Sequence, residues 1–433
     1  MLKSVQSSIR WAGARRLPLA AAVLLVFGTT AHAATIVVTQ DTDAHVFGLC
    51  SLREAIQSAN EHSAPAETNC LAGSGADDTI QIPFASISLS QGTLAPTGIL
   101  LIEGTVEGSR TTVMRPADAP AFPIFSVLSG DLTVQRLQIS GGRADFDGYG
   151  GGGGINATAT VTLVDSVVSG NSSATNGGGG GIYSFAELTL IASTVSGNTA
   201  ESLSSSGGGI VAKYNTSVID STISGNFARY SGGGIAATAA FPDVNNYTLA
   251  ISNSTIAGNT AGDGPGGGIF VDVGITASIS NSTVAFNRSN EAATGKGAGI
   301  FINGDDDGDG QLVLISTLMT ENIRGKYSQD IAAARTVTLG GNHDLVRDVT
   351  AQVTLPADTL RCDPQVSALA DNGGLTQTIR LAPESCAIDG GARNNLQYDQ
   401  RGAGFPRVIG ANADIGAFES SDVIFANGFE GAD

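Results

Sequence analysis

Between residues 159 and 322 the apolar positions return on a long period. Count back from an Asn that closes each copy: Asn171, Asn198, Asn226, Asn259, Asn287 and Asn322, spaced by 27, 28, 33, 28 and 35 residues. Eight before it stands Leu163, Leu190, Val218, Ile251, Ile279 or Leu314. Ten before stands Val161, Leu188, Thr216, Leu249, Ala277 or Leu312, and three before stands Val168, Val195, Ile223, Ile256, Val284 or Met319. Five before is small and hydroxylated: Ser166, Ser193, Ser221, Ser254, Ser282 or Thr317. Positions two apart share one face of a strand. The odd step between the two pairs would flip that face on a straight strand, so a bend must separate two short strands. A second bend falls at the Asn. The glycine runs, which end at Ile155, Ile182, Ile210, Ile235, Ile269 and Ile300, make a third.

Three short strands and three turns per ~28 residues describe one coil of a parallel β-helix. An all-β solenoid of roughly nine coils follows, a rod of roughly 45 Å at ~4.8 Å per coil. The recurring Asn is expected to form an internal ladder of side-chain amides, each bonded to the next rung. An antiparallel sandwich also uses many short strands, but it does not return one residue type to one offset six times. The 58 glycines suit turns stacked on like turns, where φ is positive and side chains have no room.

The flanks differ from the repeats. Residues 1–33 read as a secretory signal peptide, with Lys3, Arg10, Arg15 and Arg16, an apolar run Leu17–Phe27, and Ala31-His32-Ala33 before a cleavage point. The mature chain is expected to start at Ala34. The apolar run is too short to span a bilayer and stay, and no other stretch could span one as a helix. Removing this segment's four basic residues takes the formal charge from −18 to −22, which disfavours nucleic acid and anionic membrane as partners. Ser51 with Glu54 forms a capping box. Leu52, Ala55, Ile56 and Ala59 share one side of a short helix, well placed to cover an open rod end. Cys50, Cys70, Cys362 and Cys386 allow three pairings. Cys50–Cys70 and Cys362–Cys386 are expected, because each pair lies within one terminal region, and an oxidising compartment favours bridges over metal ligation.

Cys50-Ser51-Leu52-Arg53-Glu54-Ala55 resembles the CSLREA signature of exported, repeat-rich bacterial proteins. The GGGI runs and Phe286-Asn287 are similar to the repeats of polymorphic outer-membrane proteins, and the coil resembles the right-handed β-helix of the pectin-lyase-like superfamily. Asp371-Asn372-Gly373-Gly374, Ala387-Ile388-Asp389-Gly390-Gly391, Asp399-Gln400-Arg401-Gly402 and Asp414-Ile415-Gly416-Ala417-Phe418-Glu419 are similar to the choice-of-anchor Q region of bacterial surface proteins. Glu384-Ser385-Cys386 departs from that family's usual Gly-Ser-Pro run. These resemblances imply a signal peptide (1–33), an N-terminal cap (34–98), β-helix repeats (99–345), an irregular C-terminal region (346–421) closing the far end, and a tail (422–433).

Candidate chemistry is sparse. Asn303, Asp305, Asp307 and Asp309 lie in an acidic loop that matches the first half of a calcium-binding loop. The position of the bidentate Glu is taken by Leu314, so a solvated acidic turn is the leading expectation and a weakly held calcium the alternative. Asp165 and Asp220 occupy one slot two coils apart, ~9.6 Å along the rod, near the wide limit for an inverting carboxylate pair. An exposed polar column is the simpler reading. Asp399 with Arg401, and Arg407 with Asp414, are expected to pin the C-terminal segment as buried ion pairs. Lys213, Arg229, Lys296 and Lys326 are scattered, and no catalytic constellation assembles. The leading expectation is an exported or cell-surface, adhesin-like module for a glycan or surface protein. A polysaccharide lyase or glycoside hydrolase is the alternative.

Overall fold

In the computed structural model, residues 33–75, 77–146, 150–239, 247–290, 297–304 and 311–421 are described. The expected signal segment, apart from Ala33, and the tail 422–433 lie outside them. The chain is a parallel β-helix. Its longest sheet has 11 strands, from Thr35–Val37 to Gly340–Asn342. A second of 10 strands runs from Ser86–Ser88 to Leu345–Val346, and a third of 8 runs from Phe125–Val127 to Ile331–Ala333.

Register follows the offsets. Leu163 stacks on Leu190, then Val218, Ile251, Ile279 and Leu314. All six are at most 1% exposed, so they form one internal column. The bend that resolves the odd step is a single left-handed residue six before each Asn. Asp165, Ala192, Asp220, Asn253, Asn281 and Ser316 have φ of 45–52°. The turn at the Asn is opened by Gly170, Gly197, Gly225 and Gly258, and then by Phe286 (φ 60°) and Glu321 (φ 55°).

From Arg143–Ala144 onward the coils carry four strands rather than three. The fourth has only two residues, such as Ser172–Ser173 or Thr199–Ala200, and follows the Asn directly. Two residues are too few to show an alternation in sequence. The glycine turn comes after it. A Cβ at Gly180, Gly208 or Gly233 would collide with the carbonyl of the matching glycine in the next coil.

Two polar columns run inside the rod. Each Asn Oδ1 accepts the backbone N–H and the Nδ2 of the Asn one coil earlier, at 2.9–3.1 Å. Each Nδ2 also donates to a strand carbonyl of the previous coil, as Asn226 does to Val195 at 2.9 Å. In the second column each Ser Oγ accepts the N–H of the previous coil's Ser, as Ser221 does from Ser193 at 3.0 Å. Its own hydroxyl donates to the carbonyl two residues back. Both columns end in a buried carboxylate. Asn322 Nδ2 donates to Asp330 at 2.8 Å, and Thr317 N–H donates to Asp344 at 2.9 Å.

The helix Leu52–Glu61 has the reciprocal Ser51–Glu54 capping box, and it buries Leu52, Ala55, Ile56 and Ala59. It is inserted between the first two rungs, Thr35–Val37 and Asp78–Ile82, both of which fall within 34–98. Arg53 ties it down, pairing with Asp43 at 2.8 Å and donating to the carbonyls of Gly92 and Thr93. Both disulfides, Cys50–Cys70 and Cys362–Cys386, are formed.

At the far end, residues 347–361 close the core, with Val353 and Leu360 bridging to Val337 and Leu345. Beyond Cys362 the chain departs from the expected position over the rod end. It turns back along the flank, over the outside of the second sheet. Thr222 Oγ1 donates to Gln377 O and Thr255 Oγ1 to Gln400 Oε1, while Ala417 N–H donates to Thr283 Oγ1. Arg110, near the other end, donates to Leu375 O.

Candidate functional site

The flank segment hides the column that holds Asp165 and Asp220. Asn253 donates to Tyr398 O, Asn394 donates to Asn281, and Ala392 N–H donates to Ser316 Oγ. Asn253, Asn281 and Ser316 are buried, so this half of the polar column expected to be exposed is instead an internal seam, while Asp165, Ala192 and Asp220 stay partly exposed. Asp165 is paired with Arg110 at 2.6 Å. Asp220 accepts Asn253 Nδ2 at 2.6 Å, and burial raises its pKa. Each carboxylate is engaged locally, and they do not converge.

The charged cluster of the flank is a clamp, with one changed partner. Asp399 and Arg401 pair at 2.6 Å, and Arg401 lies over the rings of Phe405 and Phe418. Arg407 is fully buried and donates to the carbonyls of Asp414 and Gly416, at 2.7 and 2.9 Å. The Asp414 carboxylate turns away to accept Asp389 and Ser420 N–H. The acid nearest Arg407 is Glu419, at 3.9 Å. Burial pushes Glu419 up to about 7 and raises Asp414. The cluster is turned inward: Arg407 is fully buried, and its Nε and Nη1 find no hydrogen-bond partner among the described residues.

Among the described residues, what stays open is the outer face of the longest sheet. From Thr160–Val164 to Gln311–Ile315 its outward positions include two columns: Thr162, Thr189, Ser217, Ala250, Ser278, Val313, and Val164, Ile191, Ile219, Ser252, Ser280, Ile315. All are partly or fully exposed. None is charged or aromatic, in a chain with 40 acidic residues. Six strands at ~4.8 Å make a flat strip of about 25–30 Å along the rod.

One edge of this strip is the corner where the chain leaves the third sheet. Extending the register of that sheet by one residue stacks Lys213, Thr238, Asp272 and Asn303. Burial lowers the pKa of Lys213, and Asp272 opposes that shift. Asn303 Nδ2 donates to Asp272 at 2.8 Å. Beside them Phe185, Tyr214 and Tyr247 form a row of tilted rings, with centroids 6.1 and 4.4 Å apart, and Phe185 and Tyr214 are exposed. Sequence reasoning scattered these residues because insertions of different length separate them. Their shared offset from the third strand was the signal that could have joined them. Of the calcium candidates, Asn303 is committed to Asp272, while Asp305, Asp307 and Asp309 lie outside the described residues. Among the described residues no three His, Cys, Asp or Glu converge as a metal site.

Further hollows occur, two of them larger. One, of about 410 Å³, is apolar and lies between Gly225, Gly258 and Phe286 of the rod and Leu369 of the flank. The other, of about 350 Å³, is polar and lies at the N-terminal helix. It is bordered by His45, whose Nδ1 is 2.6 Å from Glu54.

No family model matches the chain, and no curated protein matches it. Among solved structures, the chain is similar to the crystal structure of pectate lyase Pel9A, at 15% identity and a TM-score of 0.48, covering 90% of this chain and 96% of that one.

Proposed function

We propose that this is an exported β-helix rod that acts as a binding module for an extracellular glycan, with the strip and its aromatic corner as the contact surface. The observation that carries the reading is the strip of uncharged outward positions, open among the described residues and flanked by the exposed rings of Phe185 and Tyr214. Hydroxyls and methyls repeating at ~4.8 Å suit an extended, neutral chain of hydroxylated rings. Aromatic edges suit the apolar faces of those rings. The acidic remainder of the surface disfavours a polyanion. Adhesin-like display on a bacterial surface accords with this reading and with the two disulfides.

The test is binding to a panel of neutral and acidic polysaccharides. Tyr214→Ala and Ser217→Arg are each expected to weaken binding about tenfold or more, equivalent to about 1.4 kcal/mol, with melting unchanged. Equal binding by the variants, or no binding by the parent chain, overturns the reading.

Lys213 supports a second reading, a polysaccharide lyase. A half-buried lysine with a lowered pKa is suited to removing a proton, and an acidic substrate would then need a bridging cation such as calcium. New reducing ends or ultraviolet-absorbing unsaturated products, formed in the presence of calcium and lost in Lys213→Ala, would replace the first reading with this one.

A further inference from the structure

The internal column ten before the Asn runs back through Leu188, Val161, Leu132 and Leu100, and then meets Asp78. Asp78 keeps the inward parity of Ile80 and Ile82 and is 2% exposed. An aspartate therefore stands where the next three rungs place Leu100, Leu132 and Val161, all core aliphatics.

Among the described residues, its carboxylate accepts only neutral donors. Ala34 N donates at 2.9 Å, Ser74 N–H is 3.0 and 3.2 Å from its two oxygens, and Ser74 Oγ completes the set. Among the described residues, no Lys, Arg or His side chain pairs with it. A buried carboxylate without a cation is costly.

The nitrogen it holds belongs to the residue that the small-x-small motif Ala31-His32-Ala33 makes the first of the mature chain. Ala34 is also fixed from its other side, since its carbonyl accepts Thr79 N–H at 2.8 Å.

We propose that cleavage between Ala33 and Ala34 supplies the missing cation: the new α-ammonium of Ala34 is the counter-ion of Asp78 and locks the first rung of the rod. Water adds across the Ala33–Ala34 peptide bond under a signal-removing protease. Ala33 leaves with the carboxylate and Ala34 keeps the ammonium. The neutral amide contact becomes a charge-assisted one, roughly twice as strong.

The surrounding cap responds to the same transition. Ser74 follows Gly73, whose N–H donates to Ser58 O of the helix, and Ser58 Oγ donates to Leu71 O. Cys70, bridged to Cys50, opens that loop. Disulfide formation requires an oxidising compartment, and the ammonium requires removal of the leader. Both events complete the N-terminal cap after export, so an uncleaved chain keeps its first rung loosely held.

This inference rests on the exported reading, and the experiment separates the two. N-terminal sequencing of the protein recovered outside the cytoplasm is expected to begin at Ala34. Hydrogen exchange at Ile36, Val37 and Val38 is then compared across the exported parent, Asp78→Asn, a chain with a short Gly-Ser insert between Ala33 and Ala34, and the combination. In the insert chain cleavage still occurs, but Ala34 keeps an amide. Each change alone is expected to speed exchange about tenfold, and the pair no further than either. An insert chain that exchanges like the parent, additive effects, or an exported chain with another first residue would overturn the ammonium–Asp78 pair and leave export standing. A protein that retains Met1 would remove both. If Asp78→Asn fails to accumulate, the insert chain alone decides, because it leaves every described side chain in place.

Discussion

Asn226 makes the strongest case at the scale of single residues. It accepts two hydrogen bonds from Asn198 and donates to Val195 O and Asn259 Oδ1. The ladder works because each amide has both donors and acceptors, so a rung needs no water. Asn226→Ala strands the N–H of Asn198 and one proton of its Nδ2, the other staying on Val168 O, and takes a donor from the carbonyl of Val195. At about 1–3 kcal/mol per unsatisfied group, it should cost about 3 kcal/mol or more, read from the midpoint of a denaturant titration. The serine column works by the same logic but needs only one hydroxyl per rung. Asp344 ends it with Oδ1 on Thr317, while Oδ2 finds no partner among the described residues and burial pushes the carboxyl up to about 7. Strain is also placed residue by residue. Phe286 takes the left-handed turn that Gly170, Gly197, Gly225 and Gly258 occupy elsewhere, a conformation costing about 1–2 kcal/mol. Its ring packs with Val366 and Leu369 of the flank, which offsets that cost.

Among the elements, the second sheet shows how one set of strands serves two environments. In the early coils its outward residues Val167, Ser169, Thr194 and Ser196 are partly exposed. From Thr222–Ser224 onward, every residue of these strands is buried, because 363–421 lies on them. The sequence carries a trace of this change: the outward serine becomes Ala257 and then Ala285, small enough for Ile379 to pack between. Ala257→Arg tests the point. Its side chain faces away from the rod core, so the ladders should persist while the flank lifts. The expected result is proteolysis within 363–421, with a rod fragment that still melts cooperatively. Loss of the whole structure would show instead that the flank is integral to the rod.

At the scale of the molecule, one apolar cluster runs from Ile36 to Val353, and two small clusters join the flank to it. Protons act mainly on that junction and on the closing end. Glu419 and Asp344 are each pushed up to about 7, chiefly by burial, and Asp330 and Asp414 are raised for the same reason. The folded chain therefore holds protons that the unfolded chain releases. That stabilising contribution is fully present below the ordinary carboxylate pKa and is lost as pH rises through about 7. His45, raised by its bond to Glu54, acts in the same direction. Glu54 itself is lowered, with burial opposing its bonds to Ser51 and His45, so its share is lost as pH falls. Melting is expected at higher temperature near pH 6 than near pH 8. Glu419→Gln should flatten that difference by about 1 kcal/mol, and an unchanged pH profile would contradict the raised pKa of the buried Glu419.

The parallel β-helix, its inward columns, the Asn positions and the helix cap were all legible in the residues, because each depends on a periodic local rule: side-chain parity, positive φ at glycine, or a capping box. The period also foretold the bend, though not the left-handed residue that makes it. The path of residues 363–421 was not legible, nor the burial of Asn253 and Asn281, the partner of Arg407, the grouping of Lys213 with Asp272, or Asp78 beneath Ala34. These depend on contacts between segments far apart in the chain, whose separations vary with every insertion. No period encodes such contacts, and only the folded chain brings those residues together.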